Sequence, residues 1–212
     1  MRLAIFDLDG TVLRGNSWHE YFWWTLQAHP TAAPGLLARL ALRRGRLISS
    51  HTLARATLRP LRDQDSAAVA EVGQRVFAER VRALIRPAAR REIARAVADG
   101  CEPVLATASM DFLAAPVAAE LGIREVIATR IEFSAGKCQG RWLLPEPRGL
   151  AKAEAVRAHF AGRPVEWAQS RAFSDETVDL PLLGLVGEPV FVAAKRPAGM
   201  DPKFGAVDWD SP

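Results

Sequence analysis

The sequence predicts an α/β protein with a doubly wound parallel sheet, an inserted all-helical cap and a small β-hairpin flap. Three observations predict it. An uninterrupted apolar run, Leu3-Ala4-Ile5-Phe6, opens the chain as a strand buried on both faces, and the carboxylates Asp7 and Asp9 follow at once. Residues 15–86 then carry helical periodicity without a strand signal, too long a stretch for one crossover of a βαβ unit. From Pro87 onward, strand-like and helix-like segments alternate, which is the pattern of a parallel sheet.

Taken in order, Arg14-Gly15-Asn16 reads as a loop, and Ser17 with Glu20 as a capping box for a helix that Pro30 ends. Trp18, Tyr21, Phe22 and Leu26 share one face of that helix while Trp23 and Trp24 fall outside it, so burial on more than one side is expected. Pro34-Gly35 opens a second helix, residues 36–44, and Ser49 or Ser50 caps a third that Pro60 stops. A fourth begins between Asp63 and Ser66 and runs through Val69, Val76 and Val81 to Ile85. Pro87 and Gly100 bracket a helix over residues 88–99. Residues 102–107 form the second buried strand, Ala108 to Asp111 lead into a helix ending at Leu121-Gly122, and residues 125–129 form the third strand. Segments 131–133 and 139–143, around Ser134-Ala135-Gly136-Lys137, read as a hairpin. A helix over 150–160, a short strand over 171–174, a helix over 177–185 and a last strand over 189–193 follow, and the tail from Arg196 has little periodicity. The domain division expected from this is a core of residues 1–14 and 87–212, with residues 15–86 as the cap.

The chain has 212 residues, 49% of them hydrophobic and 25% charged, which suits a soluble globular protein with one core domain and a smaller insertion. Its 28 basic residues, nearly all Arg, outnumber 24 acidic ones, for a net charge of +4. That excess is too small to argue for a nucleic-acid partner, and none is expected. Cys101 and Cys138 fit neither a zinc site nor a disulfide framework, so a reduced cytoplasmic setting is expected. The chain reaches Asp7 too early for a signal peptide, and no apolar stretch approaches the roughly 20 residues of a membrane span. The oligomeric state is not legible.

Chemistry concentrates at strand ends. Two acids as close as Asp7 and Asp9 repel unless a cation sits between them, and Mg²⁺ is the natural oxygen-ligand partner. Such carboxylates can act as a covalent nucleophile and as an acid/base. Thr107, with the N–H groups of Ala108 and Ser109, stands near a helix start and offers an anion site; capping of the following helix is the alternative. Lys152 lies in the first turn of a helix, where it opposes the dipole, so it is either a solvated surface lysine or placed there for another reason. Ser174-Asp175-Glu176-Thr177-Val178-Asp179 puts one acid at a strand end and another on the following turn, which is a binding constellation or an acidic first turn stabilising its helix.

Phe6-Asp7-Leu8-Asp9-Gly10-Thr11-Val12 resembles motif I of the haloacid dehalogenase superfamily of phosphohydrolases, D-x-D-G-[TS]. Val104-Leu105-Ala106-Thr107 is similar to its motif II, Lys152 to its motif III, and Asp175 with Asp179 to its motif IV, although Ser174 stands where Gly is common. The four occur in the family's order. The resemblance implies a Rossmannoid core and a phosphomonoester hydrolase. Asp7 would attack phosphorus and Asp9 serve as acid/base, while Thr107, Ala108, Ser109 and Lys152 bind the phosphoryl group. Mg²⁺ would be held by Asp7, Asp9 through its carbonyl, and Asp175, supported by Asp179. Glu176 has no assigned role.

The position of the helical insertion resembles the subgroup that includes phosphoserine phosphatase. There a Glu shortly after motif I binds the substrate amine, and here Asn16 holds the corresponding place. A small phosphorylated metabolite is the expected substrate, with Asn16, Trp18, His19 and Trp23 as candidates for contacting it and Trp24 and the arginines from 39 to 55 behind them; the alternative is that the aromatics pack the cap's own core. A phosphotransferase or mutase of the same superfamily, a lipid-phosphate phosphatase at a membrane surface, and a non-catalytic module for anionic ligands are the other readings. His29, His51 and His159 share no ligand spacing and are expected at the surface.

Overall fold

The computed structural model describes residues 1–193, 201 and 203–210. In chain order the elements are β1 (Arg2–Phe6), α1 (Ser17–Ala28), α2 (Ala33–Arg44), α3 (Ser50–Thr57), α4 (Ser66–Val76), α5 (Pro87–Ala98), β2 (Cys101–Met110), α6 (Asp111–Glu120) and β3 (Glu125–Thr129). They continue with β4 (Ile131–Ser134), β5 (Lys137–Trp142), α7 (Leu150–His159), β6 (Arg171–Ser174), α8 (Leu180–Leu183), β7 (Glu188–Val192) and β8 (Gly205–Val207). Six strands form one parallel sheet in the order β3-β2-β1-β6-β7-β8, and β4 pairs with β5 in a separate antiparallel hairpin. The expected α/β class, parallel sheet and hairpin are therefore all present.

The position of β1 explains its composition. It lies between β2 and β6, with Ile5 opposite both Val104 and Ala172. Ala4 and Phe6 pack on one face with Ala89, Ile93 and Ala96 of α5, while Leu3 and Ile5 pack on the other with Val156 of α7 and Leu182 and Leu183 of α8. Both faces are covered, so no polar residue interrupts the strand. The chain winds outward from β1 through β2 and β3, then returns to β6 on the opposite side. This reversal puts the topological switch point beside β1, and the crevice beyond the strand ends opens where Asp7 stands.

The helical stretch between β1 and α5 divides by packing. Tyr21 and Trp24 of α1 and Val69 and Val76 of α4 join the cluster on one face of the sheet, whereas Phe22, Leu36, Leu53 and Ala56 make a smaller cluster of their own. At Gly73 a Cβ would stand 1.9 Å from the Phe112 carbonyl oxygen, so α4 meets α6 backbone to side of helix and only glycine permits that approach.

Several boundaries differ from expectation. The cap of α1 is Asn16, whose Oδ1 accepts the His19 N–H at 3.1 Å; Ser17 is engaged elsewhere. The helix expected to continue to Ile85 passes into a π turn at Phe77–Val81 and a 3₁₀ turn at Arg82–Leu84, which keeps Phe77 and Val81 buried. The helix expected over 177–185 begins as a 3₁₀ turn, Thr177–Asp179, and restarts as α8, because Pro181 lacks an N–H and fits only a first turn. Strand β2 runs past Thr107 to Met110. The tail from Arg196 contains a strand, β8, that extends the sheet beside β7, and Trp209 packs on Phe173 with ring centroids 5.5 Å apart. Residues 196–200, 202, 211 and 212 of that tail lie outside the described residues.

Candidate active site

Asp7 follows β1 directly and is 5% exposed. Its N–H donates to the Phe173 carbonyl at 3.0 Å, which ties the end of β1 to β6. Gly149, with φ +58°, starts α7 and brings Lys152, 3% exposed, beneath this strand end. The lysine Nζ donates to Asp7 Oδ1 at 2.7 Å and to Asp179 Oδ2 at 2.5 Å. Asp179 also accepts from the Ser174 hydroxyl at 2.9 Å, so the serine at motif IV's usual glycine position supplies a hydrogen bond that glycine lacks. Burial works against the charge on Lys152, but Asp7 and Asp179 outweigh it and hold the ammonium above the usual lysine range. Opposed burial and charge explain why this lysine sits where the helix dipole disfavours it.

Asp9 faces a different set of groups. Its Oδ1 accepts the Ser17 N–H at 2.6 Å and its Oδ2 the Ser17 hydroxyl at 3.1 Å; that hydroxyl lies 2.6 Å from Ser109 Oγ. Burial pushes Asp7 to about 7 against the pull of Lys152, and Asp9 to about 6 against the hydrogen bonds from Ser17. Both carboxyls therefore stand above the usual carboxylate range.

Gly10 and Thr11 bring the third acid into place. Thr11 Oγ1 donates to Asp175 Oδ1 at 2.8 Å and accepts the Asp175 N–H at 3.0 Å. Gly10 has φ +82°, and a Cβ there would stand 2.2 Å from Asp175 Oδ2, so the motif glycine is required twice over, by conformation and by space. Its carbonyl accepts from Arg86 Nη2 at 3.0 Å, and Arg86 also pairs with Asp210. Burial raises Asp175 as well. No group of three His, Cys, Asp or Glu side chains among the described residues is arranged to hold a metal ion, and the Asp9 carboxylate is engaged by Ser17. The remaining donors, the carboxylates of Asp7 and Asp175 with a backbone carbonyl, are hard oxygens, and burial raises the pKa of both carboxylates, so a cation beside them would offset the cost of burying their charge. That set fits Mg²⁺.

Beyond Asp9 lies a cleft of about 190 Å³ whose lining includes Asn16, Trp18, Ala108 and Ser109. Thr107 is buried, but its Oγ1 accepts the Ser109 N–H at 2.9 Å, and the following helix starts only at Asp111. The expected pair of free first-turn N–H groups at Ala108 and Ser109 is thus not formed: they belong to the strand. Capping by Ser109 is not its role either, since its hydroxyl meets Ser17. Of the cap candidates, Asn16 and Trp18 line the cleft. His19 and the 46% exposed Trp23, four positions apart on one helical face, do not. Trp24 is buried and donates through Nε1 to Glu79 at 3.0 Å. Sequence reasoning missed His51, Trp142, Glu146 and Arg148, which line the same cleft from α3, β5 and the segment before α7, and it missed Ser17 and Arg86. His51 is exposed as expected, yet its Nδ1 lies 3.3 Å from Glu146 Oε1; His159 pairs with Glu125 at 2.6 Å. Glu176 pairs with Arg148 at 3.4 Å.

Comparison with known proteins gives a family and a fold. The family model described as haloacid dehalogenase-like hydrolase matches residues 4–184. A histidinol-phosphatase of Neisseria meningitidis serogroup C (strain 8013) is 27% identical over 199 residues, covering 90% of this chain and 89% of that protein. A crystal structure of a protein with unknown function from Bordetella pertussis Tohama I superposes with a TM-score of 0.79 at 25% identity, over 98% of each chain. A phospho-aspartyl intermediate analogue of phosphoserine phosphatase has the same fold, with a TM-score of 0.61 at 16% identity over 92% of this chain and 87% of that one. No helix among the described residues is long and apolar enough to cross a membrane.

Proposed function

The chain belongs to the haloacid dehalogenase-like hydrolase family, and we propose that it is a Mg²⁺-dependent phosphatase that hydrolyses a small phosphomonoester through a phosphorylated Asp7. The observation that carries this reading is the buried Asp7–Lys152–Asp179 arrangement at the end of the central strand, with Asp9 beside it in a second hydrogen-bonded environment. Two carboxylates held in different surroundings can divide the labour between nucleophile and acid/base. The names of a histidinol-phosphatase and a phosphoserine phosphatase among the similar proteins support phosphate-ester chemistry.

In this reading a free oxygen of Asp7 attacks phosphorus in line, and the bond from phosphorus to the alcohol oxygen breaks. Asp9 gives its proton to that leaving oxygen. Asp9 then takes a proton from water, which attacks the phosphorus of the acyl phosphate, releasing inorganic phosphate and restoring Asp7. Lys152 holds Asp7 in place and balances charge on the phosphoryl oxygens, with Thr107 and Ser109 near the same group. Asp7, Asp175 and the Asp9 carbonyl would hold Mg²⁺, which supplies electrostatic stabilisation of the transferring group. Residues 15–86 act as the cap over a core of residues 1–14 and 87–212, and the buried, unpaired Cys101 and Cys138 suit a reduced cytoplasmic setting.

A lipid phosphate at a membrane surface is the second reading. Exposed Leu37, Leu42 and Leu47 beside Arg43, Arg44 and Arg46 favour it. The test is phosphate release from an aryl phosphate, a panel of small phosphomonoesters and a short-chain lipid phosphate, with Mg²⁺ and with chelator. Turnover is expected to need the metal and to fall by about 10³-fold or more in Asp7→Asn with the circular dichroism unchanged. Wild-type turnover in that variant would overturn the nucleophile.

A further inference from the structure

The positive charge of the chain is concentrated in one stretch. Residues 21–62 hold seven arginines and no Asp or Glu, so the rest of the chain keeps 21 of the 28 basic residues against all 24 acids. The whole cationic excess lies in that stretch. Elsewhere arginines are balanced by neighbours: Arg75 pairs with Glu71, Arg163 with Glu125 and Arg171 with Asp99. None of the seven pairs with a carboxylate among the described residues.

Four of the seven converge. Arg39 of α2, Arg55 of α3, Arg59 in the 3₁₀ turn Arg59–Leu61 and Arg62 just after it line one cavity of about 410 Å³, with Gln139 and Gly140 of β5 on its wall. No acid lines it. A second hollow of about 440 Å³ also has Arg39 and Arg59 in its wall, so the two make a continuous groove. Arg39 Nη1 donates to the Gly35 carbonyl at 2.9 Å, and the Arg55 guanidinium lies 5.3 Å from the Trp142 ring. Arg59 and Arg62 are exposed and have no side-chain partner among the described residues. Arg59 is four positions after Arg55 and three before Arg62, spacings at which like charges on a helical turn repel. Nothing within the chain offsets that repulsion, which leaves it to an anion from outside.

The walls come from two parts of the chain. Gly140 has φ +64°, and a Cβ there would stand 3.3 Å from the Leu58 carbonyl oxygen, so glycine lets β5 approach the turn that carries Arg59 and Arg62. This cavity shares no lining residue with the catalytic cleft: Ser50, His51 and Ala54 of α3 face the cleft, whereas Thr52, Arg55 and Ala56 face the arginine cavity.

The charge sets the ligand. A guanidinium fork matches two oxygens of a phosphate at once. A single phosphate group carries about 1.5–2 negative charges near neutral pH, fewer than four arginines can balance. The volume falls within the roughly 300–1,000 Å³ of small-molecule sites. We propose that Arg39, Arg55, Arg59 and Arg62 form a second anion site, outside the catalytic cleft, for a small soluble ligand with two or more linked phosphate groups. The site stands apart from the phosphatase reading above.

The test is calorimetric titration of the full chain with pyrophosphate in the presence of chelator. Wild type should show one saturable site, with inorganic phosphate binding about tenfold more weakly. Arg59→Gln/Arg62→Gln, at exposed side chains with no partner to lose, should weaken pyrophosphate by about tenfold or more with the circular dichroism unchanged. Arg75→Gln/Arg163→Gln removes the same charge elsewhere and should leave the affinity within about twofold, because distant surface charges are screened. Pyrophosphate should also raise the melting temperature of wild type and not that of Arg59→Gln/Arg62→Gln. Absent binding, binding that survives in Arg59→Gln/Arg62→Gln, or an equal loss in Arg75→Gln/Arg163→Gln would overturn the site. Sedimentation with phosphatidylglycerol vesicles separates the other source of phosphate: a chain that binds vesicles but not pyrophosphate would assign the arginines to a lipid surface and overturn the site as well. Turnover of p-nitrophenyl phosphate, measured in parallel with Mg²⁺, reports on the phosphatase reading alone, so either can fail while the other stands.

Discussion

The floor and the roof of the cleft are built on opposite terms. On the floor, Lys152 bridges Asp7 and Asp179, Ser174 holds Asp179, Thr11 holds Asp175 twice, and Ser17 holds both oxygens of Asp9. The acids and the lysine of this network are matched, and the one unpartnered buried atom beside it among the described residues is Nε of Arg86, whose Nη2 reaches the Gly10 carbonyl. Among the residues of the roof, the indole N–H groups of Trp18 and Trp142 and one carboxylate oxygen of Glu146 are buried and unmatched. A matched network fixes the position of reacting groups before substrate arrives.

The contrast makes the floor the sensitive region, and substitutions should rank accordingly. Lys152→Met removes the only cation between two buried carboxylates in that network, and should cost about 3–5 kcal/mol in urea unfolding as well as activity. Retention of wild-type stability would show that water reaches the pair and that the floor is less closed than its burial suggests. Gly10→Ala forces a Cβ against Asp175 in a backbone conformation that L-residues avoid, and a loss of about 1–3 kcal/mol with weakened Mg²⁺ dependence is expected. A fully active Gly10→Ala would mean that Asp175 can withdraw.

Titration sharpens the same comparison. Asp7 and Asp9 rise from an ordinary 3.8 to about 7 and about 6, so between these limits the metal-free folded protein binds more protons than the unfolded chain. Stability must then fall as pH rises through that window. Thermal melts of the metal-free protein should drop by several degrees from pH 5 to pH 8, and Mg²⁺ should flatten the slope, as should Asp7→Asn in part. A slope that is unchanged by both would remove the floor carboxylates as its source. At the other extreme, Leu47→Ser, after α2 at a side chain 74% exposed, should change stability by less than about 0.5 kcal/mol.

Much of this was legible because it is local. The run Leu3 to Phe6 announced a strand covered on both faces, and Asp7, Asp9 and Gly10 announced the site, because a strand end, a turn glycine and adjacent acids are short-range facts. The error at Ser17 is equally instructive. Ser17 and Glu20 have capping-box spacing, but the Ser17 hydroxyl is engaged by both Asp9 and Ser109, and Asn16 caps the helix instead. The strand β2 outran its apolar run because Thr129 donates to the Ala108 carbonyl at 2.7 Å, a partner from another element. Likewise β8 formed in a tail without periodicity because β7 offered it an edge.

By itself the sequence determined the layered α/β class, the position of the helical insertion and the identity of the acids and lysine at the strand ends, since periodicity and punctuation act within a few residues. Only the tertiary structure decided that Ser174 would serve Asp179, that Ser17 would hold Asp9, that Arg86 would reach the Gly10 carbonyl, and that Trp142 and Glu146 would meet Trp18 around one cavity. Those partners lie far apart along the chain, and side chains choose one another across such distances by burial and hydrogen-bond demand, which no local pattern encodes.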